Sequence, residues 1–288
     1  NITWTAELDK KITDYLTSRH SGSKDWISFN RAPQENTQAI IQQLGIDPNK
    51  PIIALLTNVI WDAQLHYPTN IFPNMIEWVL ETIRYFAKRP ELQLVIRIHP
   101  AEQKGTIPSR QPMLAEIQQA FPTLPVNVHI IPPESPISTY VVANLCNAAI
   151  IYGTKTGVEL VCDGIPTIVA GEAWIKHKGL TIDPASLVDY TQALDSLPLP
   201  GRLDEAAVIR AKRYAYHFFF RRMIPVHIVQ PGKSIYFGLH LDSWKQLLPG
   251  ADAGLDVICD GIMNGTPFVY ADETVSTAPA TTATGQWL

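Results

Sequence analysis

The stretch that decides the fold is Asn147 to Trp174, with the sequence NAAIIYGTKTGVELVCDGIPTIVAGEAW. Ala148 to Tyr152 is a continuous apolar run, which is typical of a parallel strand covered on both faces. Gly153 to Gly157 then turns the chain into a short helix, which a glycine and a proline end before the apolar run Thr167 to Ala170. The stretch therefore predicts a strand, loop, helix and second strand of an α/β sheet.

The loop of this unit carries groups that suit an anion. The first N–H groups of a helix have no partner within the helix, so such a terminus can bind a phosphate. Glycines allow close backbone approach, and hydroxyls and an ammonium group add donors. These residues are Gly153, Thr154, Lys155, Thr156 and Gly157. Glu159, in the first helical turn, either complements the helix dipole or accepts hydrogen bonds from sugar hydroxyls.

Strands and helices alternate along most of the chain. Further strands are predicted at Pro51 to Thr57, Glu91 to Ile98 and Val126 to Ile131. Helices are predicted at Thr5 to Leu16, Pro73 to Arg89, Gln111 to Phe121, Ile137 to Cys146, Leu187 to Leu194 and Asp204 to Met223. This alternation predicts a doubly wound parallel sheet with flanking helices. Ligands of such sheets bind outside the carboxyl ends of the strands, so residues that follow strands are the site candidates.

Two of the other strand ends carry polar side chains. Asn58, Trp61 and Asp62 follow the first strand, where Asp62 is a candidate base or acceptor ligand. Alternatively, Asn58 and Asp62 cap a turn and Trp61 fills a domain interface. Arg97 and His99 close the second strand, and the imidazole could donate to a phosphate, protonate a leaving phosphate, or serve only the structure.

The loop after the strand at Thr167 to Ala170 adds one carboxylate and two lysines. Glu172 could bind a donor hydroxyl and Lys178 could neutralise phosphate charge. The alternative for Lys176 and Lys178 is a solvated loop.

Three patches resemble a known family. They are LLTNVIWDAQ at Leu55 to Gln64, RIHPAE at Arg97 to Glu102, and YGTKTGVEL at Tyr152 to Leu160 followed by DGIPTIVAGEAW. Together they resemble the Rossmann-like nucleotide-sugar half of GT-B glycosyltransferases. The closer resemblance is to the capsule polysaccharide biosynthesis glycosyltransferases, which include Kdo transferases.

The resemblance implies transfer of a sugar from a nucleotide-activated donor in bacterial capsule or surface polysaccharide synthesis. It implies a catalytic role for His99 and makes Glu159 the ligand of the nucleotide ribose, while Asp62 is the second catalytic candidate from its place after the first strand. The remaining donor-binding candidates are Asn58, Trp61, Arg97, Gly153, Thr154, Lys155, Thr156, Gly157, Glu172 and Lys178. No cofactor and no metal are expected. Ile151 stands where retaining members carry a second Glu, so their stereochemistry does not transfer.

The resemblance also implies partners and a domain order. The donor is a nucleotide-sugar and the acceptor a glycan or a lipid-linked glycan. We expect a helical segment over residues 1–30, the donor-binding domain over residues 31–225, and a C-terminal extension over residues 226–288. The extension ends in a low-complexity, mobile stretch, Ser276 to Gly285. Because the chain starts at Asn1 without an initiator Met, an acceptor domain is expected before it.

Composition and net charge narrow the possible functions and locations of the protein. A net charge of −4 and a pI near 6.1 argue against a nucleic-acid partner. Three scattered cysteines favour free thiols over disulfides or zinc, and the absence of an apolar span or signal peptide predicts a cytoplasmic protein. The aromatic and basic helix at Asp204 to Met223 either packs in a core or associates with the inner membrane face.

Two other functions share this architecture. A nucleotide-sugar epimerase would turn over the donor without an acceptor, and a binding module would hold the donor without any turnover. Neither Gly-x-Gly-x-x-Gly nor a Walker pattern occurs, which disfavours dinucleotide oxidoreductase and P-loop chemistry.

Overall fold

A computed structural model describes residues 3–20, 33–62, 66–104, 107–231 and 237–271. The predicted low-complexity stretch, Ser276 to Gly285, and the end of the predicted N-terminal segment, residues 21–30, lie outside the described residues. The chain divides into two compact units. One contains Lys10–Lys212, and the other contains Asn1–Asp9 and Arg213–Leu288.

The predicted alternation of strands and helices is present in the first unit. Its strands are β1 (Ile52–Leu56), β2 (Gln93–Arg97), β3 (Val128–Ile131), β4 (Ala148–Ile151) and β5 (Thr167–Val169). Its helices are α1 (Ala6–His20, which begins in the second unit), α2 (Thr37–Leu44), α3 (Met75–Phe86), α4 (Ala101–Lys104), α5 (Met113–Ala120), α6 (Thr139–Leu145), α7 (Thr156–Cys162), α8 (Leu187–Asp195) and α9 (Glu205–Tyr216, which ends in the second unit).

All five strands pair in parallel, in the order β3-β2-β1-β4-β5. The chain moves outward from β1 to β3 and then returns to β4 on the other side of β1. The point between β1 and β4 is thus the topological switch, where ligands of open α/β sheets bind. The sheet confirms the predicted doubly wound α/β fold.

The buried core explains why the strands are continuous apolar runs. Every residue of β1, β2, β4 and β5 is buried, because helices cover both faces of the sheet. Trp78 of α3 and Tyr190 of α8 lie in this core, and the Trp78 indole Nε1 donates to the Tyr190 hydroxyl at 3.0 Å. This packing holds the sheet in place beneath the loops that follow the strands.

The second unit contains the C-terminal extension, residues 226–288, in which no helix or strand was predicted. It has a two-stranded antiparallel sheet of β6 (Val229–Pro231) and β7 (Phe237–Leu239), a 3₁₀ turn at Trp244–Leu247 and helix α10 (Ala253–Asn264). The long helix predicted to reach Met223 is α-helical only to Tyr216 and continues as a π-helical segment, His217–Arg222. Phe218 and Phe219 of this segment are buried, as core packing requires.

None of the helices within the described ranges combines the length and apolar character needed to cross a bilayer. Cys146 and Cys162 are buried free thiols, and Cys259 is an exposed one.

Candidate functional site

The carboxyl ends of β1, β2 and β4 are tied together by side chains of β1's own exit loop. The Thr57 hydroxyl accepts from the His99 N–H at 3.0 Å, and the Asn58 Oδ1 accepts from the Gly153 N–H at 3.1 Å. Since neighbouring strands lie about 4.8 Å apart, His99 and Gly153 stand roughly 10 Å apart across this rim. Residues predicted from three separate loops therefore meet at the topological switch.

Asp62 is held at this rim by Asn58. The Asn58 Nδ2 donates to the Asp62 Oδ2 at 3.3 Å, which together with the Gly153 contact uses both ends of the buried amide. Burial raises the pKa of Asp62, and the Asn58 hydrogen bond and the Lys155 charge lower it by less. Asn58 is thus a link between two loops instead of a local turn cap. Asp62 is a carboxylate fixed close to a cation.

His99 is a neutral hydrogen-bond donor in this structure. Its Nδ1 accepts from the Ala101 N–H at 3.1 Å, so the neutral ring carries its proton on Nε2. Burial, and then the charge of Arg97, lower the pKa of His99 to about 4. At neutral pH the imidazole is therefore suited to donate to a phosphate oxygen and poorly suited to supply a proton as imidazolium.

Arg97 was predicted to contact the donor, but its side chain binds the loop between β3 and α6. Its guanidinium donates to the carbonyl oxygens of Pro132 at 2.6 Å and Ser135 at 3.2 Å, and its side chain is buried. Burial lowers its pKa to about 10, which leaves the group charged at neutral pH. The geometry gives Arg97 a structural role and an electrostatic effect on His99.

The loop before α7 departs from the predicted anion site in one respect. The N–H groups of the first turn were expected to lack partners, yet that of Thr156 donates to the Thr154 hydroxyl at 3.2 Å, and that of Val158 donates to the Lys155 carbonyl at 2.9 Å. The Gly157 N–H donates to the Thr154 carbonyl at 3.3 Å. The expectation is wrong for these three groups because the turn closes on itself. The Thr154 hydroxyl donates in turn to the Thr156 hydroxyl at 3.1 Å, so Lys155 and the Thr156 hydroxyl are the groups of this loop that suit a phosphate.

Gly157 serves packing between the helix and the sheet. A Cβ at this position would lie 2.4 Å from the Ile151 Cδ1 and 3.1 Å from the Ile175 Cγ2. The glycine therefore lets α7 approach β4. Gly157 was predicted to let the backbone come close to a ligand, whereas in the structure it lets the helix come close to a strand.

Glu159 is fully buried and belongs to an ion-pair cluster. Its Oε1 accepts from the Arg19 Nε at 2.8 Å and lies 2.8 Å from the Arg19 Nη2, while its Oε2 accepts from the Tyr140 hydroxyl. His20 stacks on the Tyr140 ring with 4.0 Å between ring centroids. Both carboxylate oxygens thus have protein partners, so in this structure the side chain has no surface to offer a ribose.

The loop after β5 contains a buried lysine, Lys176, for which a solvated loop was the alternative interpretation. The Lys176 Nζ lies 2.9 Å from the Glu172 Oε1 and its side chain is buried, whereas Lys178 is exposed. The Glu172 N–H donates to the Asn70 Oδ1 at 2.9 Å, which fixes this loop beside the segment that follows β1. The solvated alternative is therefore wrong for Lys176, and the Glu172 carboxylate is engaged by that lysine.

No protein-family model matches the chain, and no curated protein matches it in sequence. Solved structures do resemble it. The KpsC beta Kdo 2,4 transferase of Thermosulfurimonas dismutans is 16% identical with a TM-score of 0.44, over 73% of this chain and 56% of that one. The UDP-GlcNAc 2-epimerase of Neisseria meningitidis bound to UDP-GlcNAc is 13% identical with a TM-score of 0.44, over 72% and 51% of the two chains.

A third similar structure is the sucrose-phosphate synthase of Thermosynechococcus elongatus, 16% identical with a TM-score of 0.40, over 65% of this chain and 45% of that one. The chain spans about half the length of these proteins. The similar structures thus include transferases and epimerases, and similarity at this level assigns neither activity to the chain.

Two features of the site were not predicted from the sequence. The first is the pairing of Arg19 with Glu159, which joins residues 140 positions apart and leaves no local signal. The second is Glu102, whose buried carboxylate accepts from the Met113 N–H with both oxygens, at 3.3 and 3.1 Å. The position of Glu102 just after His99 and Pro100 is the one signal that could have singled it out. Within the described ranges, no three His, Cys, Asp or Glu side chains form a group that could hold a metal ion.

Glu102→Gln is expected to stabilise the protein at alkaline pH and not at acidic pH. Burial raises the pKa of Glu102 to about 7, so the folded state holds its proton more tightly than the unfolded state, and stability falls as pH rises from about 4.5 through 7. Gln keeps the oxygen that accepts from Met113 and removes the buried charge. Urea unfolding should show a gain of roughly 1–3 kcal/mol at pH 8.5 and almost none at about pH 4, below both pKa values.

The control for loss of a carboxylate is Glu81→Gln, at an exposed position of α3. Its effect on stability should be the same at both pH values. A gain for Glu102→Gln that does not change with pH would show that the carboxylate titrates normally.

Proposed function

We propose that the chain is the donor-binding part of a glycosyltransferase that uses a nucleotide-activated sugar in the synthesis of a bacterial capsule or other surface polysaccharide. The acceptor is a glycan or a lipid-linked glycan. Under this proposal the donor binds across the carboxyl ends of β2, β1 and β4.

The observation that carries the proposal is the network through Thr57 and Asn58. These two side chains fix the backbone of His99 on one side and that of Gly153 on the other, and Asn58 also fixes Asp62. A neutral donor, a cation and a carboxylate are thereby presented along one rim. Transfer from a sugar phosphate needs this combination, because negative charge develops on the leaving phosphate while the acceptor hydroxyl loses a proton.

The proposed step has a simple balance of atoms. The acceptor hydroxyl gives its proton to the Asp62 carboxylate, and its oxygen forms a bond to the anomeric carbon of the donor sugar. The bond from that carbon to the phosphate oxygen breaks, and its electron pair leaves with the nucleotide. The His99 Nε2–H and the Lys155 ammonium stabilise the phosphate charge, with the Thr156 hydroxyl as a further donor.

We assign Glu159 a different role from the binding of the nucleotide ribose that the family resemblance implies. With Arg19 and Tyr140 on its oxygens, it would position the first turn of α7 and the loop before it, instead of contacting the ribose. Ribose recognition then falls to other groups along the rim.

A thermal-shift panel tests donor binding. Compounds linked to UDP, CMP, GDP and CDP are added to the protein, and the bound class should raise the melting temperature because it binds only the folded state. Product analysis with the stabilising donor then separates the activities. Turnover that needs an added glycan acceptor supports the transferase, turnover of the donor alone identifies an epimerase, and tight binding without any turnover identifies a binding module.

A further inference from the structure

Trp61 is more exposed than the residues that precede it in the loop after β1. It lies within a turn in which the Asp62 N–H donates to the Val59 carbonyl at 3.1 Å. Small or polar residues usually fill such turn positions. Val59 is buried and Ile60 packs against the core, yet Trp61 is 45% exposed. The indole is therefore partly exposed in the loop that follows the carboxyl end of β1, and it is not among the residues of the hydrophobic core.

The neighbour of Trp61 limits what this surface can bind. Asp62, held by Asn58, is an acceptor-only group when ionised, so it attracts hydroxyl donors and repels phosphate oxygens. An exposed aromatic face next to a fixed carboxylate matches a ring with one apolar face and a rim of hydroxyl groups. A nucleoside phosphate matches it poorly because its charge has the same sign as that of Asp62.

We propose that Trp61 and Asp62 form a carbohydrate subsite in which the indole stacks on the apolar face of a pyranose ring and the carboxylate accepts from a hydroxyl of that ring. Resting on the proposed transferase function, this inference assigns the subsite to the glycan acceptor and separates it from the donor phosphate groups at His99 and Lys155. The acceptor hydroxyl that Asp62 binds is then the one that it deprotonates.

The test uses saturation-transfer NMR with the methyl pyranosides of glucose, galactose, mannose and N-acetylglucosamine as probes. At least one probe should bind at millimolar concentration. Trp61→Ala should weaken it about tenfold, while Trp61→Phe, which keeps an aromatic face, should weaken it less than about threefold. Trp244→Ala, at an exposed tryptophan of the second unit, is the matched control and should leave binding unchanged. Melting temperatures confirm that each variant is folded.

Nucleotide titration of the same variants separates this inference from the proposed function. Trp61→Ala should reduce affinity for a pyranoside at least fivefold more than affinity for the nucleotide. Equal losses would indicate nucleobase stacking and would overturn the inference, as would sugar binding that is insensitive to Trp61 or no binding of any pyranoside. If sugars bind through Trp61 and no nucleotide binds, the subsite stands and the proposed function fails.

Discussion

Glu159→Ala should destabilise the protein by about 3–5 kcal/mol, because it leaves the buried Arg19 guanidinium without its counter-charge. The Tyr140 hydroxyl also loses its acceptor. Urea or thermal unfolding measures the loss. Arg19→Ala should have a comparable effect, and the double variant should cost much less than the sum of the two, since each single change removes the same interaction.

The matched control is Glu77→Ala. Glu77 also lies in the first turn of a helix, α3, but it is exposed, so its carboxylate interacts mainly with the helix dipole. Glu77→Ala should lower the free energy of unfolding by no more than about 1 kcal/mol. A cost for Glu159→Ala as small as this would mean that the buried ion pair does not hold α1 against α6 and α7.

Asp62→Asn should lower kcat by roughly 10²–10⁴-fold, because an amide of the same shape cannot take the acceptor proton. Nucleotide affinity should change little, since the phosphate contacts are assigned to His99 and Lys155. The measurement is a transfer assay with donor and acceptor both present. Activity should also fall on the acidic side as the carboxylate becomes protonated, and this fall should centre at a pH above the ordinary value for Asp because burial raises the pKa of Asp62.

Asp47→Asn controls for loss of an aspartate elsewhere in the same unit. Asp47 precedes β1, at the opposite end of the strand from the candidate site, and accepts from the Asn49 N–H at 3.0 Å. The variant should keep its activity. Full activity in Asp62→Asn would remove Asp62 from the mechanism and leave the acceptor base to another group.

Much of the fold could be predicted from the sequence because local signals were strong and agreed with one another. Strands buried on both faces appear as continuous apolar runs, and those at Ala148–Ile151 and Ile52–Leu56 lie within the predicted ranges. The strands and helix of the C-terminal extension were not predicted, since its strands have only three residues each and α10 follows a segment without clear periodicity. Short elements carry too few residues for a period to emerge.

The site was predictable only in its position. The rule that ligands collect after parallel strands placed Asn58, Asp62, His99 and Lys155 in one region, and hydrogen bonds tie together the three loops that carry them. The sequence could not show that Arg97 and Glu159 already have buried partners, because those partners come from distant segments of the chain. Polar residues near a strand end serve either as ligands or as structural anchors, and only their contacts distinguish the two.

Calorimetric titration of the stabilising nucleotide into wild type, His99→Ala and Lys155→Ala tests the central claim most directly. The proposal predicts a single site in wild type and an affinity at least tenfold weaker in each variant, because each loses one group that stabilises the phosphate. With burial lowering the pKa of His99 to about 4, its contribution should not change between pH 6 and 8. Nucleotide binding that is the same in all three proteins would place the phosphate elsewhere and contradict the account.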